Sequence, residues 1–404
     1  MYSKYIPHLA VFLILASLLT WAGFRSDKEF SIENGLAFLG VLRPPINMEE
    51  KIRQGVELLN ASPPLEGNSS DRHIALAILD KKTGEVFEKK IWVRERAIEN
   101  YHKTGIMELE YDDPGDKVNI EVRWWNSFNS YFVFPDDKDL VVAANKYRLP
   151  SSYLNGLPER SAGQYTDIIY SPYSRSLHLP SIIEKGKQYL EDKVDRAFEQ
   201  LEARKVFSKS SPESIITATV DKDFIKNIIL VEHVDPQGFI IAADGGKELT
   251  ERVLTVIGSN EERAYRYTGS PAGASGMAQF IKPTYDNMVI QYPEAKLIKD
   301  YNMGMADHVN AVKAMVLFFD LHKKDIANKV TRQDIIAQIG ITEEMLAAAY
   351  NGGPGRVVSS VNKYGMAWIT SQLNLPRETV FREETVNYIK KFEAIKSLNI
   401  FKVN

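Results

Sequence analysis

Gly269 to Phe280 reads GSPAGASGMAQF, and the rest of the chain can be read outward from it. Its glycines, proline and small residues make a poor helix interior, but they let backbone pass close to a bulky ligand. Gln279 then offers both a donor and an acceptor. Upstream, Asp221 to Pro236 reads DKDFIKNIILVEHVDP, an apolar helical pattern with Asp221 as a candidate N-cap and Glu232 in the last turn before Asp235-Pro236 stops it. Downstream, Ala349 to Val357 reads AYNGGPGRV, where Asn, two glycines and a proline end a further helix. Two Gly-rich turns and one acid on an apolar helix suggest a groove for an extended polar polymer.

A carboxylate in the last turn of a helix is opposed by the helix dipole, and apolar neighbours penalise its charge further. Both effects predict a raised pKa for Glu232. A raised pKa suits a general acid acting on a glycosidic oxygen. Read alone, the ordinary reading of Glu232, a solvated acid at a helix end, outweighs the catalytic one.

The order and wording of four segments change that. IILVEHVDP carries Glu232, and GASGMAQF (Gly273 to Phe280) follows, with Lys282-Pro283-Thr284-Tyr285 opening a helix behind it. Ala349-Tyr350-Asn351-Gly352-Gly353 comes next, then Glu384-Thr385-Val386-Asn387-Tyr388, with Leu375-Pro376 upstream of the last. This series resembles the lytic transglycosylases of the soluble-transglycosylase type, whose catalytic domain has a goose-type lysozyme-like fold. The resemblance implies cleavage of the β-1,4 bond between N-acetylmuramic acid and N-acetylglucosamine in peptidoglycan, with a 1,6-anhydromuramoyl end as product. It implies Glu232 as the single acid and base. It also implies substrate binding by Ser275, Met277, Gln279, Tyr350, Asn351, Glu384 and Tyr388, with Gln279 on an acetamido group and the Tyr388 hydroxyl near Glu232. No metal or other cofactor is implied.

The chain departs from that pattern in three places. His233 stands where the family commonly has Ser, and Ala278 precedes the Gln where Met is usual. Glu232 and Gly273 are separated by an unusually long segment, Gln237 to Thr268, with a helical pattern from Gly246 to Ile257 that would form a lid or a wall of the groove. Asp235, Asp244 and Glu248 keep open a second carboxylate and thus a lysozyme-type hydrolase. A non-catalytic peptidoglycan-binding or scaffold component of an envelope-spanning machine is the reading from a different class. The seven histidines are scattered without HExxH spacing, and His233 points to a different side of the helix from Glu232, packed or solvated.

The remaining chain supplies context. Its 404 residues allow about one to three domains. A formal net charge of -3 argues against general nucleic-acid binding. The absence of Cys excludes disulfides, thiolate catalysis and Cys-based zinc sites. Tyr5 to Phe24, YIPHLAVFLILASLLTWAGF, has bilayer-spanning length with Lys4 before it and Arg25 and Lys28 after. It reads as a retained inner-membrane anchor or a cleaved signal peptide (residues 1–25). Either would put the rest of the chain on the periplasmic side of a bacterial envelope.

Residues 26–148 read as an accessory domain. A short helix over Met48 to Leu59 precedes period-two stretches at Arg72 to Asp80, Glu85 to Val93, Ile106 to Tyr111, Val118 to Trp125 and Ser130 to Phe134. These predict a small antiparallel β-rich domain with a hairpin turn at Lys81 to Gly84. Its aromatics Trp124, Trp125, Phe128, Tyr131, Phe132 and Phe134 read as a core plus a surface for an envelope protein partner, or as sugar-stacking groups. Residues 149–210 read as a connection followed by a long amphipathic helix, Ser181 to Val206. Residues 211–404 form the catalytic half, with a helix capped by Ser211 to Glu213 and a core helix across MADHVNAVKAMVLFFDLHKKD. The fold class expected is α+β: a mainly helical lysozyme-like C-terminal domain behind a small antiparallel sheet and an N-terminal membrane helix or signal peptide.

Overall fold

The computed structural model describes residues 46–402 except 69, 113–117, 236–237, 240–241, 271 and 375–379. The apolar segment Tyr5 to Phe24 lies outside the described residues, as do Leu375-Pro376. Among the described residues no helix is long and apolar enough to cross a membrane. The fold is α+β, with a small antiparallel sheet and a larger helical part.

Helix α1 (Met48–Ala61) lies on one face of the sheet. Its Gly55 sits where an added Cβ would stand 3.1 Å from the Ala77 Cβ and 3.3 Å from the Ala143 Cβ. Strands β1 (Arg72–Asp80) and β2 (Val86–Val93) form the expected hairpin, paired from Arg72↔Val93 to Leu79↔Val86. Because β1 is central, alternate residues serve two cores. Ala75 and Ala77 are small enough for α1 to approach, while Ile74, Leu76 and Ile78 enter the main core.

The next segments are more irregular than their patterns predict. Helix α2 (Glu95–Thr104), which the period-two reading missed, is closed by Gly105 at φ 75. Only Glu110–Tyr111 of the third expected strand pairs, as β3. Strands β4 (Glu121–Trp124) and β5 (Tyr131–Val133) are shorter than expected and form a separate two-stranded ribbon. Phe128, Phe132 and Phe134 are buried, while Trp124 is half-open.

Two strands fall where none was expected. The boundary at residue 148 cuts β6 (Leu140–Pro150), and the presumed connection holds β7 (Tyr165–Tyr170). The sheet order is β3-β2-β1-β6-β7. LVVAANK lacks alternation because β6, flanked by β1 and β7, is covered on both faces.

Helix α3 (Pro180–Ala203) carries Ile182, Leu190, Val194, Phe198 and Leu201 into the core, as the periodicity predicts. Helix α4 (Lys222–His233) follows, N-capped by Asp221, whose carboxylate accepts from the Phe224 N–H at 2.9 Å. The helix expected from Ser211 is instead a single 3-10 turn, Ile216–Ala218.

Helix α5 (Lys247–Asn260) lies in the long segment after Glu232 and packs flush on α3. A Cβ on Gly186 would stand 2.0 Å from the Leu254 carbonyl oxygen, and one on Gly258 would stand 2.1 Å from that of Ile182. Only glycine permits so close a crossing. Asn260 exchanges two bonds of 2.8 Å with the backbone of Ser171, and Arg263 reaches the Ile169 carbonyl at 3.3 Å. The segment therefore fastens the β7 end of the sheet to the helices. Glu49–Asn404 packs as one compact unit.

Helix α6 (Lys282–Gln291) opens with Pro283 in its first turn, and α7 (Tyr301–Ala306) leads into α8 (His308–Lys329), capped by Asp307. Helices α9 (Gln333–Ile339), α10 (Glu343–Gly352), α11 (Pro354–Tyr364), α12 (Trp368–Asn374) and α13 (Glu383–Ser397) complete the described chain. Phe224, Ile225, Ile228, Ile229, Leu230 and Val231 make α4 apolar all round, so it is wrapped by its neighbours.

Candidate active site

Glu232 is the penultimate residue of α4, and α13 crosses that helix end. Glu384, Tyr388 and Lys391 are spaced i, i+4 and i+7, which puts them on one face of α13. The Tyr388 hydroxyl donates to Glu232 Oε1 at 2.6 Å. Lys391 Nζ donates to the carbonyl oxygens of Val231 at 3.0 Å and Val234 at 3.4 Å. Burial pushes the Glu232 carboxyl up to about 7; the Tyr388 bond and the Lys391 charge oppose that rise, and Glu384 adds to it. The raised value predicted from the helix end is thus present, with desolvation as its main cause.

The Gly269 to Phe280 loop is built against this helix end. Ser275 pairs with both Gly269 and Phe280, folding the segment back on itself. Gly276 is required twice over: its φ is +69, and a Cβ there would stand 2.4 Å from the Met305 carbonyl oxygen. The close approach expected for a ligand is made at Gly276 by the protein's own backbone. Gln279 has φ 49, and its side-chain nitrogen donates to the Gly276 carbonyl at 2.7 Å and to Thr268 Oγ1 at 3.3 Å. Its Oε1 accepts no hydrogen bond among the described residues.

Two successive loop carbonyls are each held by a side chain from another element. His233 Nε2 donates to the Met277 carbonyl at 2.9 Å, and the Tyr350 hydroxyl donates to that of Ala278. The His233 ring stacks on Tyr265 at 3.6 Å between centroids, and burial pushes its pKa down to about 4. His233 is therefore packed, and the residue after the acid ties the acid's helix to the loop. The Met277 side chain is fully buried in the core. That corrects its expected place on a groove wall, because the loop turns it inward while its carbonyl serves the clamp.

The remaining expected residues join the same neighbourhood. Tyr350 stacks with Tyr388 at 6.3 Å between centroids and with Phe319 at 5.3 Å. Burial, followed by the nearby Glu232 charge, holds the hydroxyls of Tyr350 and Tyr388 well above the ordinary tyrosine value. Asn351 accepts from Thr385 Oγ1 at 2.7 Å and donates to Glu384 Oε1 at 3.4 Å. Gly352 leaves room for Thr385, whose side chain would lie 2.9 Å from a Cβ. The second Gly-rich turn therefore seats α10 on α13.

No protein-family profile matches this chain, and no curated protein matches it in sequence.

The site rests on the convergence of distant segments. Glu232, Tyr350, Glu384 and Tyr388 meet around one helix end, with the Ser275 to Gln279 turn held beside them by His233. Sequence reading missed Lys391 and Tyr265. Lys391 left a trace, as a cation within the apolar stripe Ile389, Phe392 and Ile395, which are all fully buried. Tyr265 left none, since its contact depends on how the long segment folds back. A cavity of about 590 Å³, lined by Asp221, Phe224, Asn227, Glu343, Glu393 and Lys396 among others, opens at the other end of α4 and involves none of these groups.

Proposed function

We propose that this chain is a peptidoglycan lytic transglycosylase of the soluble-transglycosylase type, with a goose-type lysozyme-like catalytic part acting on the periplasmic side of a bacterial envelope. The observation that carries the reading is the Tyr388 hydroxyl on Glu232 Oε1 at 2.6 Å. It joins the first and last of four ordered segments around a carboxyl that burial holds up to about 7.

An acid with that value is substantially protonated near neutral pH and gives up its proton readily when a partner offers. Glu232 would donate to the oxygen leaving N-acetylmuramic acid. The resulting carboxylate would keep the Tyr388 hydrogen bond and lie in the field of the Lys391 ammonium. It then accepts the proton of the muramoyl C6 hydroxyl as that oxygen closes on C1. One bond breaks, one forms, the proton returns to Glu232, and water is not consumed. Gln279 Oε1 suits an acetamido N–H, while Ser275 and Asn351 supply further polar contacts along the strand. The N-terminal apolar segment would tether or export the enzyme, and the sheet would meet an envelope partner.

Digestion of isolated peptidoglycan by wild type and Glu232→Gln tests the reading. Wild type is expected to release muropeptides with anhydro ends, and the variant to lose about 10²- to 10⁴-fold in rate. Equal activity of the two proteins would remove Glu232 from the chemistry. Because Glu384 is a second acid in the same field, reducing ends in the mass spectrum would reassign the site to a hydrolase using both carboxyls.

A further inference from the structure

Lys391 does not belong to any of the four segments, yet it is 7% exposed and points at the end of the helix that carries Glu232. Burying an ammonium is unfavourable unless its donors are satisfied. Here they meet the carbonyls of Val231 and Val234, the residues on either side of Glu232 and His233. These carbonyls belong to the negative end of the α4 dipole. The ammonium also lies in the electrostatic field of Glu232, Asp235 and Glu384, and 5.6 Å from the centre of the Tyr388 ring. The groups whose charge or hydroxyl acts on Glu232 are Tyr388, Lys391 and Glu384 from α13 and Tyr350 from α10, while its neighbour His233 turns to Met277 and Tyr265. Lys391 is the cation among them.

We infer that Lys391 is a positioning residue of the Glu232 centre: its ammonium clamps the carbonyls that close α4 and provides the fixed counter-charge for the carboxylate formed when Glu232 gives up its proton. This rests on the reading of Glu232 as acid and base. Without the counter-charge, the acid stays protonated to higher pH and parts with its proton less readily. With it, the same residue serves as acid and then as base near one pH. Tyr388 cannot take that part, because its hydroxyl is neutral and offers one hydrogen bond.

Lys391→Gln separates the two roles, since an amide still donates to carbonyls but carries no charge. In the ligand-free full chain, the Glu232 carboxyl titration followed by carbon NMR is expected to move up by about one pH unit. The upper limb of the kcat/KM profile on isolated peptidoglycan should move with it, and Lys391→Arg should restore both. A clamp alone would lower activity at every pH and leave the midpoint in place, which would overturn the inference.

A reciprocal measurement avoids any change at Lys391. Linkage requires the coupling to act equally in both directions. Glu232→Gln, which is nearly isosteric, must therefore lower the Lys391 ammonium midpoint by a similar amount, and an unmoved midpoint would also sink the idea. The two claims fail separately. An active Glu232→Gln removes the catalytic reading, whereas an inactive Glu232→Gln with uncoupled titrations removes only the role given to Lys391.

Discussion

Two buried lysines close two helices in this protein, one beneath the sheet and one at the candidate site. Lys146, 6% exposed on β6, donates to the carbonyls of Leu59 at 3.0 Å, Ser62 at 2.9 Å and Pro63 at 3.1 Å, just where α1 ends. Lys391 on α13 does the same for Val231 and Val234 at the end of α4. In both, an ammonium donates to carbonyls at and just beyond a helix terminus and meets the negative end of the dipole. Burial lowers the pKa of both side chains, and a nearby acid partly opposes it, Asp167 for Lys146 and Glu232 for Lys391.

The difference lies in that acid. Asp167 is already engaged, with Oδ1 on Arg148 Nε at 2.9 Å and Oδ2 on the Leu65 N–H at 2.7 Å. It is part of the anchorage of α1 on the sheet. Glu232 is held by a single neutral hydroxyl and retains a pKa near 7. The same capping device thus gives pure anchorage in one place and a chemically poised acid in the other.

Removing the sheet-side lysine should have the largest effect on stability. Lys146→Met removes the charged donor shared by the carbonyls of Leu59, Ser62 and Pro63 and buries no replacement for it, so it is expected to cost about 3 kcal/mol in equilibrium denaturation. The pH profile of the remaining activity should keep its position. A shifted profile would mean that the two helix ends are not independent.

An effect of similar size and opposite sign is expected at Glu232. The carboxyl titrates at about 7 in the fold against 4.5 ordinarily, so the folded state holds a proton that the unfolded state releases between those values. The stability associated with that proton is complete below pH 4.5 and lost by about 7. Glu232→Gln cannot ionise, so it should exceed wild type by about 3 kcal/mol above pH 7 and by nothing below 4.5. Thermal melts across that range measure it, and an equal gain at every pH would show that packing, not ionisation, is responsible. The smallest effect belongs to the far end of the same helix. Asp221→Ala removes the N-cap and should cost about 1 kcal/mol in a denaturant titration while leaving the Glu232 midpoint unchanged.

Much of the candidate site was legible because its parts are local. Asp221, the apolar run and Asp235-Pro236 define α4 and place Glu232 in its last turn without any long-range information. Glycine and proline likewise mark the two turns. The β1–β2 hairpin was legible from its alternation and from Lys81 to Gly84. Strand β6 was not, because a strand covered on both faces loses the period of two on which the reading depends, and β7 is a short edge strand inside a Pro-, Ser- and Gly-containing stretch that reads as connection. Helix α2 was obscured by the stretches around it, and the inward turn of Met277 follows from a close approach to Met305 that spacing does not encode.

The sequence by itself determined which residues could act: an acid opposed by its helix dipole, two flexible turns, and a tyrosine one turn after Glu384. Only the tertiary structure decided what those groups experience. The crossing of α13 over the α4 terminus brings Tyr388 and Lys391 to Glu232 from more than 150 residues away. The long segment, expected as a lid or a wall of the groove, packs α5 onto α3 through Gly186 and Gly258 and supplies Tyr265 to the ring of His233. Desolvation and counter-charge depend on what surrounds a group in three dimensions, and a one-dimensional pattern names the group without naming its surroundings.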